Sequence, residues 1–229
     1  MIYDTEKKLV KDFKNTFIKS LKGNNNIFIL EEVDTSWGKA DLLVIKYNYN
    51  IFQKRQQELR EEKIIPFTNI AAYAINFIID NPFCTQKELK KFLKVKNGIY
   101  LETIQNLLNR GLIYSYKNNS LRARSFKKTY FIREIQTYEV KLNKWKKVIE
   151  QAERHLWFTN SSYIVLPSIS YTLVEKIKKA CTEKGIGFIL QDSKKTFKII
   201  KQPPNKKHLD SVFSWKLNES LIDGTLING

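Results

Sequence analysis

Glu139 and Lys141 stand two residues apart in Thr137-Tyr138-Glu139-Val140-Lys141-Leu142, a run whose alternation predicts a β-strand. On a strand that spacing turns the carboxylate and the ammonium to one face and Val140 to the other, into the core. A carboxylate so placed can hold a divalent cation through oxygen, and an ammonium beside it can orient a water or stabilise charge developing on a phosphate. Asp41, after Gly38-Lys39-Ala40 and before the apolar run Leu42-Leu43-Val44-Ile45, offers a second carboxylate. A surface salt bridge is the competing account of Glu139 and Lys141, so their surroundings must decide.

The elements that would position these groups follow from periodicity. Leu9, Phe13, Phe17 and Leu21, flanked by Val10 and Ile18, recur at helical spacing and predict an amphipathic first helix, capped by Asp4 or Thr5 and ended near Gly23. Two strands follow, at 27–30 and 40–45, and then a polar, helical connector over 51–63. Three short helices come next. The first, 69–80, stops at Asn81-Pro82; the second opens on the capping box Thr85 to Glu88; the third, 100–110, ends on Gly111. Strands at 112–116 and 121–126 flank a turn at 117–120, so three helices lead into a basic hairpin, the order of a winged helix-turn-helix. After the Glu139 strand come a helix over 143–158, a buried strand at 163–166, a helix over 171–184 ended by Gly185, and a strand pair at 187–191 and 196–201. The tail from Gln202 reads as a surface wrap.

Composition names a partner class. The 229 residues suffice for one large domain or two small ones, and 40 Lys+Arg against 23 Asp+Glu leave a net charge of +17. Such a surplus implies a polyanion, with nucleic acid the first candidate and an anionic membrane surface the second. The plainer account is a lysine surplus that keeps a Lys/Asn/Ile-rich chain soluble. Divided along the chain, the charge is +2 over 1–63, +8 over 64–128 and +7 over 129–229, so the helices and hairpin are the most one-sided stretch. A membrane partner is disfavoured, since no segment combines a strongly apolar face with a continuous basic one and no apolar run nears the ~20 residues of a span. Cys84 and Cys181 read as buried free thiols, and the charged, leaderless start predicts a soluble cytoplasmic protein. No glycine-rich phosphate loop is present in the sequence, which argues against ATP-driven chemistry.

Gly38-Lys39-Ala40-Asp41 with its apolar run, Tyr138-Glu139-Val140-Lys141-Leu142, the helix from Trp145 to Gln151 and Ser162-Tyr163-Ile164-Val165-Leu166-Pro167 together resemble the PD-(D/E)XK nuclease superfamily. The resemblance covers roughly residues 1–47 and 129–201, with Ala40 in place of the family's proline. It implies an α/β fold, a restriction-endonuclease-like mixed sheet flanked by helices and interrupted by the winged-helix segment. In that organisation 1–63 and 129–229 form a discontinuous nuclease-like domain, and 64–128 a DNA-binding insert beside the cleavage site. Asp41 and Glu139 would bind Mg²⁺ or Mn²⁺ with the Val140 carbonyl as a further ligand, Lys141 would assist the attacking water, and Glu6 and Gln151 match an acidic and a glutamine position near such sites.

In the insert, Lys96, Tyr100, Glu102, Thr103, Gln105, Asn106 and Arg110 are expected to face the major groove, and Lys117, Arg122, Arg124, Lys127 and Lys128 the phosphates. Leu101, Ile104, Leu107 and Leu108 would form the buried face of the third helix, and Tyr73, Phe77, Phe83 and Phe92 would be core. His155, one turn after Gln151, reads as a surface residue, and His208 pairs with no metal-ligand spacing. The expected function is metal-dependent hydrolysis of double-stranded or branched DNA, with a homodimer as the simplest way to cut two strands. A catalytically inactive DNA-binding regulator or structural subunit is the alternative.

Overall fold

The computed structural model describes residues 3–21, 26–35, 38–59, 65–192, 196–206 and 211–225. In chain order the elements are α1 (Glu6–Ser20), β1 (Ile27–Thr35), β2 (Gly38–Tyr47), α2 (Tyr49–Leu59), α3 (Asn69–Asp80), α4 (Gln86–Leu93), α5 (Asn97–Asn109), β3 (Ile113–Tyr116) and β4 (Ser120–Ala123). They continue with α6 (Phe126–Thr129), β5 (Ile132–Val140), α7 (Trp145–His155), β6 (Ser161–Pro167), α8 (Tyr171–Lys184), β7 (Gly187–Gln191), β8 (Phe197–Lys201) and α9 (Ser211–Ile222). The expected helix end at Gly23 and His208 lie outside the described residues.

The chain divides into two units, residues 1–46 with 133–209, and residues 47–132 with 210–229. The first is α/β: a six-stranded mixed sheet of order β1-β2-β5-β6-β7-β8. Pairs β1/β2 and β7/β8 are antiparallel, while β5, β6 and β7 run parallel, joined by α7 and α8 as crossovers. The strands are apolar on both faces because both are covered. On one side Leu9 and Phe13 of α1 pack on Leu42, Val44, Tyr138, Val140, Tyr163 and Val165. On the other, Val148, Ile149 and Ala152 of α7 and Val174, Ile177 and Cys181 of α8 pack on Ile164, Leu166 and Phe188. Gly187 lies opposite Tyr163, and a Cβ there would come within 2.2 Å of the Tyr163 ring, which stacks on Tyr138 at 4.9 Å.

The second unit is helical with a two-stranded hairpin. The capping box opens α4 as the sequence predicts: Thr85 Oγ1 accepts from the Glu88 N–H, and a Glu88 carboxylate oxygen accepts from the Thr85 N–H at 2.7 Å. Gly111 ends α5 in the left-handed region at φ +59°. β3 and β4 pair in register, with Tyr114 opposite Arg122 and Tyr116 opposite Ser120.

Two boundaries differ from expectation. The connector 51–63 and the tail were assigned to the nuclease-like domain, yet α2 buries Phe52, Arg55 and Leu59 within the second unit, and α9 joins it. The tail is not a surface wrap: Trp215, Leu217 and Leu221 are buried, and so are Asn218 and Glu219. α9 packs on α3 and α2. Both cysteines are free and buried, as expected, and among the described residues no helix is long and apolar enough to cross a membrane.

Candidate functional site

Three elements of the first unit meet at one end of the sheet. Thr5 caps α1 through the Lys8 N–H, which fixes Glu6 in the first helical turn. β2 carries Asp41 near its start. Opposite it in the β1 register, Glu32 is held in the left-handed region at φ 53° and is missing from an otherwise continuous ladder. β5 ends at Val140, and Lys141 follows.

Asp41 Oδ2 accepts from the Val140 N–H at 2.8 Å and from Lys141 Nζ at 3.3 Å, while Lys141 Nζ also donates to Glu6 Oε1 at 2.7 Å. Lys141 thus ties the start of α1 to the start of β2. It does not pair with Glu139, so the surface salt bridge is not what the structure contains. Glu139 is fully buried, with Nδ1 of His155 on α7 3.3 Å from its Oε1. The Asp41 N–H and His155 Nδ1 are the groups nearest the Glu139 carboxyl, both short of ideal hydrogen-bond geometry, and Gln151 Oε1 likewise accepts no well-formed hydrogen bond. A buried carboxyl so weakly satisfied is accounted for by a proton or by a cation. Alongside runs a groove of about 340 Å³ lined by Glu6, Lys141, Asn143, Lys144, Lys147 and Gln151. A second groove, of about 520 Å³, has Glu6 and Asp41 on its wall with Lys7, Lys11 and Lys14.

Burial, then the nearby Asp41 charge, push the Glu139 carboxyl up to about 8, with Lys141 giving partial relief. Burial also raises Asp41, opposed by the Val140 N–H and by Lys141. For Lys141 burial acts downward, but the Glu6 hydrogen bond and the Asp41 charge outweigh it and hold the ammonium above its usual range. Burial, with Arg154 adding to it, lowers His155 to about 4. At neutral pH Glu139 therefore keeps its proton beside a neutral imidazole.

A pH dependence follows for the metal-free protein. Glu139 lies at about 8 folded and roughly 4.3 unfolded, so stability falls as pH rises between them. His155 lies at about 4 folded and roughly 6.5 unfolded, so the unfolded chain takes up the proton there and stability rises with pH. The slopes cancel between roughly 4.3 and 6.5 and leave a net fall of about 2 kcal/mol from pH 6.5 to 8. Thermal melts in EDTA at those two pH values measure it, and Glu139→Gln is expected to flatten the difference. A wild-type protein equally stable at both would show that Glu139 is ionised throughout.

Of the residues singled out in the sequence, Glu6, Asp41, Lys141 and Gln151 share these grooves, with Glu139 beneath them and Val140 as hydrogen-bond donor to Asp41. His155, read as a surface side chain, is instead buried against Glu139; its position four residues after Gln151, on the same helix face, was the available signal. Among the described residues no group of three or more His, Cys, Asp or Glu side chains is arranged to hold a metal ion. In the second unit Lys96, Gln105, Lys117, Arg122, Lys127 and Lys128 are exposed as expected. Tyr100, Thr103, Asn106 and Arg110 are not: all four are buried, the tyrosine on the Gln86 carbonyl, the threonine on the Ile99 carbonyl and the arginine in an ion-pair network. Leu101, expected in the core, is 55% exposed. Arg124 is already held by both carboxylate oxygens of Glu58, at 2.9 and 3.0 Å. Tyr73, Phe83 and Phe92, expected in the core, are also exposed. Comparison of the chain with family models, curated proteins and solved structures yields no match.

Proposed function

We propose that the chain is a metal-dependent DNA endonuclease of the PD-(D/E)XK type, hydrolysing phosphodiester bonds in double-stranded or branched DNA. The observation that carries this reading is the clustering of acids around one cation at the end of the sheet: the buried Glu139 carboxyl, the Asp41 carboxylate beside it and a Lys141 ammonium that is held by two acids. The donor set suits a hard cation: Asp41 and Glu139 would hold Mg²⁺ or Mn²⁺ through oxygen, with the Val140 carbonyl beside them. Such a cation supplies Lewis acidity at the phosphate. Taking it up requires Glu139 to release its proton.

The chain's own groups account for the rest. Glu6 and Asp41 aim Lys141 at the groove, where its ammonium can stabilise charge developing on the phosphate. Lys144 and Lys147 line that groove and attract the DNA backbone, while the unpartnered Gln151 Oε1 is available to orient a water. The second unit serves as the duplex reader, a winged helix in which α5 offers Glu102 and Gln105 to base edges and Lys96, Lys117, Arg122, Lys127 and Lys128 contact phosphates.

Plasmid, linear and branched DNA incubated with Mg²⁺ or Mn²⁺, or with EDTA, test the reading beside Lys141→Ala. Nicking is expected only with metal, and at least about tenfold slower in the variant. Binding without metal-dependent nicking, or nicking unchanged in Lys141→Ala, overturns it.

A further inference from the structure

Phe83 is a bulky aromatic residue held in the left-handed region, at φ 67°, and 45% exposed. The conformation comes from a turn over Asn81-Pro82-Phe83-Cys84, closed by the Cys84 N–H donating to the Asn81 carbonyl at 3.1 Å; its third position favours glycine, so a bulky exposed ring is kept where a smaller residue would cost less. The neighbourhood keeps the ring there. The Thr85 backbone bridges to Ser120 of β4, and the Leu121 N–H donates to the Cys84 carbonyl at 2.8 Å, so the segment after Phe83 is stitched to the hairpin. The Phe83 ring lies 5.2 Å from that of Tyr116, and the Arg122 guanidinium sits 4.9 Å over its face.

The hairpin register extends this cluster. Tyr114 and Tyr116 are two residues apart and share a face of β3, and Arg122 stands directly opposite Tyr114 on β4. That face turns outward: Tyr114 is 40% and Tyr116 45% exposed, whereas Ile113 and Leu121 of the other face are buried. Lys117 follows at the turn. Among the described residues no carboxylate forms an ion pair with Arg122 or Lys117, and the nearest acids in sequence, Glu102 and Glu134, lie at least twelve residues away.

We infer that Phe83, Tyr114, Tyr116 and Arg122 form a platform on which unpaired nucleobases stack, so that the second unit prefers DNA in which a duplex adjoins single-stranded bases. Flat aromatic faces interleaved with uncompensated cations match the two halves of single-stranded nucleic acid, π-faces and phosphates. A blunt duplex offers phosphates to Lys117 and Arg122 but no free base to the rings. Charge complementarity favours nucleic acid over a protein partner, since the stretch 64–128 carries +8. The inference rests on the DNA-binding part of the proposed function and narrows its substrate to branched or frayed ends, but needs no cleavage to be tested.

The full chain in EDTA is titrated against a blunt duplex, the same duplex with a short unpaired 3′ or 5′ extension, and a single strand, each extension carrying a 2-aminopurine next to the junction. Wild type is expected to bind the extended duplex about tenfold tighter than the blunt one and to quench the 2-aminopurine. Phe83→Gly and Tyr116→Ala are expected to remove both effects while blunt-duplex affinity stays within about twofold. Phe83→Gly also releases the left-handed backbone, so its melting temperature separates the two roles: unchanged or higher for a binding ring, lower for a packing one. Equal affinity for blunt and extended DNA, an equal loss on both in the variants, or no binding to any of the three DNAs overturns the inference. Failure of metal-dependent nicking with the stacking signal intact would sink the nuclease reading alone.

Discussion

Glu139→Gln is expected to lose DNA cleavage at least about a hundredfold while the protein becomes more stable above pH 7. The side chain is isosteric, so the two effects come from charge alone. Glutamine cannot give up a proton to accept a cation, which removes the anionic oxygen that loading requires. It also removes the cost of ionising a carboxyl that burial and Asp41 push up to about 8. At pH 8 that relief is about 1–3 kcal/mol, after allowing for the burial of the amide itself. Its NH₂ can donate to His155 Nδ1, now 3.3 Å from Oε1. Asp41→Asn makes the informative contrast. Its Oδ1 can still accept from the Val140 N–H and Lys141 keeps Glu6, while a half-buried charge that also pushes up Glu139 is removed, so cleavage should be lost with stability near that of wild type. Nicking of plasmid with Mg²⁺ and thermal melts at pH 8 give both readouts. A Glu139→Gln protein that still cuts, or that melts below wild type at pH 8, would assign Glu139 to the core and leave the cation without its ligand.

The first unit was legible because its signals are local. Amphipathic spacing in α1, glycine at the end of α8 and apolar runs for strands covered on both faces are each contained within a dozen residues. Asp41, Glu139 and Lys141 were singled out from sequence, but not how they pair. Lys141 lies just past the end of β5, so strand alternation no longer dictates its direction, and its long stem reaches Glu6, 135 residues away. The misread faces have a common cause as well. Asn106 and Arg110 are polar and sit at helical spacing on α5, a pattern that reads as an outward surface, yet they turn inward because Glu219 and Asp223, more than 100 residues downstream, wait for Arg110. α9 was overlooked for the reciprocal reason. A helix that buries Asn218 and Glu219 along with Trp215, Leu217 and Leu221 shows no clean apolar stripe.

That buried network carries the largest stability effect expected in the protein. Glu219, Arg55 and Arg110 have side chains at most 1% exposed. The Glu219 carboxylate accepts from Arg55 Nη2 at 3.0 and 3.2 Å, from Arg110 Nη1 at 3.0 Å and from Asn218 Nδ2 at 3.0 Å. Arg110 has further partners in Asp223, Asn106 and the Ile65 carbonyl. Arg55 has fewer: the Arg110 carbonyl and a Glu58 carboxylate 3.5 Å off, with its Nε unpaired. Removing Glu219 therefore leaves the Arg55 guanidinium buried with little compensation, and Glu219→Ala is expected to cost about 3–5 kcal/mol, enough to threaten a unit of ordinary stability. Arg55→Met alone should also destabilise, because Glu219 and Asp223 would then share Arg110. Together, Arg55→Met and Glu219→Leu delete one charge of each sign and leave the Arg110 and Asp223 pair intact, so the double variant should lose far less than the two single losses combined. Urea unfolding of the four proteins measures the coupling. Additive losses would mean that α9 is held by Trp215, Leu217 and Leu221 alone; strong coupling would make the charge network the lock that fixes the C-terminal helix in this unit.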